Sequence, residues 1–152
     1  MQKLDRIRNP YIFLDIDGVL ATNQEPKTPK SLWYEERIYP FTKKCVDVLN
    51  QILINSNAEI ILSSDWRRLF ELDELDKIFK FNNVIKSPID VTPILLNRDR
   101  EIRDVVTNKK LSKFLIIDDS QLSGYKERFI RTNPEKGLSI EHLKKAIKLL
   151  KH

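Results

Sequence analysis

Residues Tyr11–Leu20 read YIFLDIDGVL, and this decapeptide constrains the fold more than any other stretch. An apolar, β-prone run (Tyr11, Ile12, Phe13, Leu14) ends abruptly in two carboxylates one residue apart, Asp15 and Asp17, followed by Gly18. A near-continuous apolar run is what a strand buried in a parallel sheet requires. Acids at its carboxyl end then sit where open α/β sheets bind ligands. Residues i and i+2 of an extended segment point the same way, so both carboxylates can face one site. Like charges that close need a cation or a shared proton.

Two other readings compete. Asp-x-Asp-Gly can open a calcium loop, but that loop needs Gly at its sixth position and Glu at its twelfth. Counted from Asp15, those positions hold Leu20 and Pro26, which argues against it. The pair can also be a solvated strand-end turn.

The rest of the chain bears on that choice. A second apolar strand, Glu59–Leu62, ends in Ser63, Ser64, Asp65, Trp66 and Arg67, and a third, Lys113–Ile117, ends in Asp118, Asp119 and Ser120. Phe41–Asn55 reads as a helix, because Phe41, Cys45, Val48, Leu49 and Ile52 recur at helical spacing. Asp65 or Ser64 is expected to cap a helix from Trp66 to about Phe79. A short strand is expected near Val84–Ile85, then a loop over Ser87–Asn97, a helix over Arg98–Thr107, and a short last strand over Arg128–Arg131. Ser139 is the expected cap of a final helix, Ile140–Leu150. Residues 21–40, with Pro26, Pro29 and Pro40, read as a flap or loop. Strands alternating with helices imply an α/β fold with a largely parallel sheet.

Asp15 and Asp17, then Ser63, then Asn97-Arg98-Asp99-Arg100-Glu101-Ile102, then Asp118 and Asp119 form four motifs in order. This layout resembles the haloacid dehalogenase (HAD) superfamily of phosphohydrolases, over roughly Tyr11 to Leu150. The stretch Ile-Leu-Ser-Ser-Asp-Trp-Arg and the late Gly137-Leu138 are similar to small HAD domains of bacterial and phage proteins, including those attached to RNA-repair enzymes. The resemblance implies a three-layer α/β/α Rossmann-like domain without a large cap, one domain over 1–152, and Mg²⁺ as cofactor. It implies that Asp15 attacks phosphorus to form an aspartyl-phosphate, and that Asp17 acts as general acid and base. The metal would be held by Asp15, the backbone carbonyl of Asp17, Asp118, and Asp119 directly or through water. Ser63 matches the second-motif hydroxyl that binds a phosphoryl oxygen. Ser64 is its alternate, with a purely turn-shaping role as the rival reading. Arg98 is the choice for the third-motif cation, normally a lysine; Arg100 and Lys86 are rivals, and each can also be a solvated surface charge. Trp66 and Arg67 are expected to pack the second helix, although a strand-end Trp can also stack a base.

Composition fits one cytosolic domain. At 152 residues the chain can bury a real core. The lone Cys45 cannot form an internal disulfide. Met1–Pro10 is charged, unlike a signal peptide. No stretch approaches membrane-spanning length. His142 and His152 lie in the C-terminal helix and tail, and no zinc-type cluster exists. Lys144, Lys145, Lys148 and Lys151 read as a solvated helix face. The net charge of +5, from 27 Lys+Arg against 22 Asp+Glu, suits an anionic partner such as nucleic acid and also simple solubility. An uncapped site favours large substrates, because a small substrate gains from a lid that excludes water. The expected activity is removal of a phosphate monoester from a nucleotide or polynucleotide end. A small-metabolite phosphatase and a non-catalytic nucleic-acid- or protein-binding module on the same fold are the alternatives.

Overall fold

The computed structural model describes residues 9–22 and 39–151. Most of the expected flap, with Lys27 and Lys30, and the tail residue His152 lie outside the described residues. Five strands form one parallel sheet: β1 (Tyr11–Leu14), β2 (Glu59–Leu62), β3 (Pro88–Val91), β4 (Phe114–Asp118) and β5 (Phe129–Arg131), in the order β3-β2-β1-β4-β5. The connecting helices are α1 (Lys43–Ser56), α2 (Leu72–Phe81), α3 (Arg98–Lys109) and α4 (Leu143–Lys151). The chain moves outward from β1 to β3, then returns to lay β4 on the other side of β1. The strand order therefore reverses between β1 and β4, the place where open α/β sheets form their ligand crevice.

The strand period of two divides the core. Ile12, Leu14, Ile60, Leu62, Leu115 and Ile117 face α1, α2 and α4, whose Leu49, Ile52, Phe79 and Leu150 close that side. Phe13, Ile61, Phe114 and Ile116 face α3 through Ile102, Val105 and Val106. Three layers result, an α/β/α Rossmann-like arrangement. No helix among the described residues is long and apolar enough to cross a membrane.

Two expected elements are corrected. The strand near Val84–Ile85 forms instead at Pro88–Val91. Pro88 lacks an N–H and is tolerated because it opens an edge strand. The helix expected from Trp66 to Phe79 is two pieces: a 3₁₀ turn, Asp65–Arg68, and then α2. The Arg67 side chain folds back onto the Ser63 and Ser64 carbonyls at 3.0 and 2.9 Å, which suits a tight turn rather than a continuing helix. The chain restarts at an extended Glu71, whose N–H donates to the Glu74 carboxylate at 3.0 Å, a capping arrangement. A shorter 3₁₀ turn, Ile140–His142, likewise precedes α4, and Ser139 stands at its N-cap.

The Arg67 guanidinium is buried against Glu101 of α3 at 2.8 Å, and donates further to the carbonyls of Thr92 at 3.0 Å and Pro93 at 3.3 Å. The Glu101 carboxylate also accepts the Leu95 N–H at 2.9 Å. One ion pair thus fastens the end of β2, the end of β3 and the first turn of α3. Removing one partner of such a pair strands a buried charge. Glu101→Ala is expected to lower unfolding free energy by about 3–5 kcal/mol, measured by urea denaturation; a loss under about 1 kcal/mol would contradict this role.

Candidate active site

The parallel register builds the site. Leu14 stands beside Leu62 on one side and Ile117 on the other. One step further, Ser63 N–H donates to the Leu14 carbonyl and Asp15 N–H to the Ile117 carbonyl, each at 3.0 Å. Asp15, Ser63 and Asp118 therefore form a row across the carboxyl ends of three adjacent strands. Alternation turns them to the α3 side, where Phe13, Ile61 and Ile116 also face. Asp118 and Ser63 are fully buried and Asp15 is 5% exposed. Carboxylate oxygens of Asp15, Asp118 and Asp119 lie within 4.8 Å of one another.

Arg98, on the first turn of α3, enters this row. Its Nη1 donates to Asp118 Oδ2 at 2.7 Å and lies 3.5 Å from Asp15 Oδ2, while Nη2 lies 3.5 Å from Asp65. A single guanidinium does not balance the acids. Burial, and then the neighbouring Asp118, push Asp15 up to about 8, although Arg98 and the Ile16 N–H pull it back. Burial likewise raises Asp119. A divalent cation among these oxygens would restore both carboxylates to the ionised state, and three oxygen donors suit Mg²⁺.

The turn after β1 is held from two sides. Thr132 donates its hydroxyl to the Gly18 carbonyl at 2.7 Å and its N–H to the Asp118 carbonyl at 2.9 Å. Gly18 has φ of +80°, and a Cβ there would collide with the Asp119 carboxylate. Both facts require glycine. Asp17 is exposed, and its Oδ2 accepts the indole N–H of Trp66 at 3.1 Å. Its carboxylate stands apart from the three-acid cluster.

Among the residues singled out from sequence, the structure brings Asp15, Ser63, Arg98, Asp118 and Asp119 together. Among the described residues, the buried Ser63 hydroxyl has no hydrogen-bond partner, nor has the Arg98 Nε. Ser64 turns away: its hydroxyl accepts the Trp66 N–H at 3.2 Å and caps the 3₁₀ turn. Arg100 is exposed on α3, its backbone N–H bonded to the Asn97 side chain that caps the helix. Lys86 sits at the far end of the sheet, with Glu59 at 3.1 Å and Asn57 at 3.0 Å. A cleft of about 430 Å³ near that end, lined by Asn9, Tyr11, Glu59, Lys110 and Leu111 among others, is remote from the acids. Thr132 and the Asp17–Trp66 contact carry no local sequence signal, and Glu101 stands in the third motif without any sign of its pairing with Arg67, because each acts through a partner distant in the chain.

A parallel sheet between two helical layers, with aspartates at the β1 and β4 ends, a hydroxyl at the β2 end and a cation on α3, the helix after β3, defines a HAD-type domain. The chain belongs to the family described as the HAD domain in Swiss Army Knife RNA repair proteins, which matches residues 11–143. Neither curated proteins nor solved structures give a match. The HAD superfamily is one of hydrolases and phosphatases that generally use Mg²⁺, and the buried acidic cluster can hold such an ion.

The raised Asp15 carboxyl has a thermodynamic signature. Between the ordinary carboxylate range and about pH 8, the folded metal-free protein keeps a proton that the unfolded chain has lost. Stability must then fall as pH rises through that window. Thermal unfolding in chelator from pH 5 to 8 is expected to have a steeper downward trend in the wild type than in Asp15→Asn, and Mg²⁺ should reduce the difference. Identical pH trends for the two proteins would contradict the assignment.

Proposed function

We propose that this chain is a Mg²⁺-dependent phosphatase that removes a phosphate monoester through an aspartyl-phosphate on Asp15, acting on a nucleotide or polynucleotide end. The observation that carries this reading is the row itself: a buried carboxylate flanked by two further acids able to hold a metal on one side and, on the other, the buried hydroxyl of Ser63, unpartnered among the described residues. Among the described residues the hydroxyls of Ser63 and Thr92 are buried without a hydrogen-bond partner, and that of Ser63 stands next to Asp15 in the row, where it suits a ligand oxygen.

Asp15 attacks phosphorus, the bond to the leaving oxygen breaks, and Asp17 gives that oxygen a proton. Water then attacks the phosphorus of the aspartyl-phosphate and returns a proton to Asp17, which frees phosphate and the Asp15 carboxylate. Ser63 donates to a phosphoryl oxygen, and Arg98 offsets the charge of the equatorial oxygens. Mg²⁺, held by Asp15, Asp118, the Asp17 carbonyl, and Asp119 directly or through water, would supply the charge that lets two anions approach.

Hydrolysis of p-nitrophenyl phosphate tests the chemistry. Activity should disappear in chelator and return with Mg²⁺, and Asp118→Ala should weaken both activity and metal dependence. Asp15→Asn should lose on the order of 10⁴-fold in kcat, as loss of a nucleophile does elsewhere. Near-normal turnover by folded Asp15→Asn, or indifference to chelator, would overturn the mechanism.

The substrate class rests on the positive charge of the chain, the uncapped reading and the RNA-repair context named by the matching family. Each phosphate that Lys or Arg neutralises releases counterions, so binding to an extended anion weakens as salt rises. A phosphorylated oligonucleotide should therefore have a higher kcat/KM than the matching mononucleotide, with an advantage that shrinks with salt. Equal or better turnover of the mononucleotide at low salt would favour a small-metabolite phosphatase.

A further inference from the structure

We infer that Trp66 is a positioning residue for proton transfer: its indole N–H fixes the Asp17 carboxylate so that the oxygen it leaves free delivers the proton to the leaving group. This rests on the role proposed for Asp17. The indole Nε1 donates to Asp17 Oδ2 at 3.1 Å, and Asp17 Oδ1 has no hydrogen-bond partner among the described residues. Asp17 is exposed on a turn, so its carboxylate would otherwise sample several rotamers. A donor on one oxygen selects one rotamer and leaves the second oxygen to work.

The donor is itself held rigidly. The Trp66 ring meets Tyr39 at 5.9 Å, Phe41 at 5.8 Å and Phe70 at 5.9 Å, all at tilted or edge-on angles. Phe41 meets the fully buried Phe79 of α2 at 5.4 Å. The segment bearing Tyr39 and Phe41 is pinned by Asn82, which accepts the Phe41 N–H and donates to the Tyr39 carbonyl, both at 2.8 Å. At its root, the Trp66 N–H is capped by Ser64. A ring that only filled a gap would not need its one polar atom aimed at a carboxylate of the turn after β1. Ser64 thus acts on the site at one remove, through Trp66.

The step to be tested is the proton handed from the Asp17 carboxyl to the leaving oxygen as its bond to phosphorus breaks and the Asp15–phosphorus bond forms. A nitrophenolate leaves without that proton, whereas an alkoxide needs it. The readout is the ratio of kcat/KM for p-nitrophenyl phosphate to that for p-nitrobenzyl phosphate, two monoesters of nearly equal size. Both kcat/KM values report only the steps through phosphorylation of Asp15. Trp66→Phe, and replacement of Trp66 by β-(3-benzothienyl)alanine, which keeps the bicyclic shape with sulfur for N–H, are each expected to raise this ratio about 10-fold or more, part of the effect of a general acid. The isostere guards against loss of packing in the phenylalanine variant. Asp17→Asn is the reference and should raise the ratio further. Unchanged ratios in both Trp66 variants beside a raised ratio in Asp17→Asn would overturn the inference alone. An unchanged ratio in Asp17→Asn would overturn the Asp17 role and the inference with it.

Discussion

The Arg98 guanidinium lies 2.7 Å from Asp118 and 3.5 Å from Asp15, and the rest of the structure is arranged to keep it there. Two carboxylates at the ends of adjacent buried strands repel each other in a medium that screens poorly. Arg98 offsets part of that repulsion, and its place depends on α3. The first turn of α3 is fixed by Glu101, which meets the buried Arg67 at 2.8 Å. Arg67 in turn holds the carbonyls of Ser63, Ser64 and Thr92. A continuous path therefore runs from the buried Ser63 at the end of β2 to the cation of α3 and on to the acids of β1 and β4.

This path leaves charge unbalanced at the acids. Burial, and then Asp118, push the Asp15 carboxyl well above the usual carboxylate range, toward the protonated form. The same three oxygens that create the repulsion offer a cation its ligands. On the proposed mechanism, ion binding and activation of Asp15 would be one event.

Much of this was legible in the sequence for one reason: the strands are buried on both faces, so their apolar runs end visibly where the acids begin. Tyr11–Leu14, Glu59–Leu62 and Phe114–Ile117 announce themselves, and the parallel sheet follows from the helices between them. The β3 strand lies away from the expected Val84–Ile85 because Pro88-Ile89-Asp90-Val91 is an edge strand with two exposed residues, and its pattern is weak. The break after Arg68 was hidden because it depends on where the Arg67 side chain goes, a tertiary fact. Arg98 was separable from Arg100 by helix geometry only once the Asn97 cap was seen, and Lys86 only once Glu59 was placed beside it. Arg67 and Trp66 read as packing residues; both pack, but each also aims a polar group at a specific acceptor.

The central claim is that phosphate passes through Asp15, and the most direct measurement is to trap it there. Enzyme quenched during turnover of p-nitrophenyl phosphate with Mg²⁺, then reduced with borohydride, would carry homoserine in place of any phosphorylated aspartate. Using Asp17→Asn, which should stall the attack of water, lets the intermediate accumulate. Peptide mass spectrometry should find homoserine at Asp15, dependent on both substrate and Mg²⁺. Burst release of nitrophenol with no reduction at Asp15, or with reduction at another aspartate, would contradict the account.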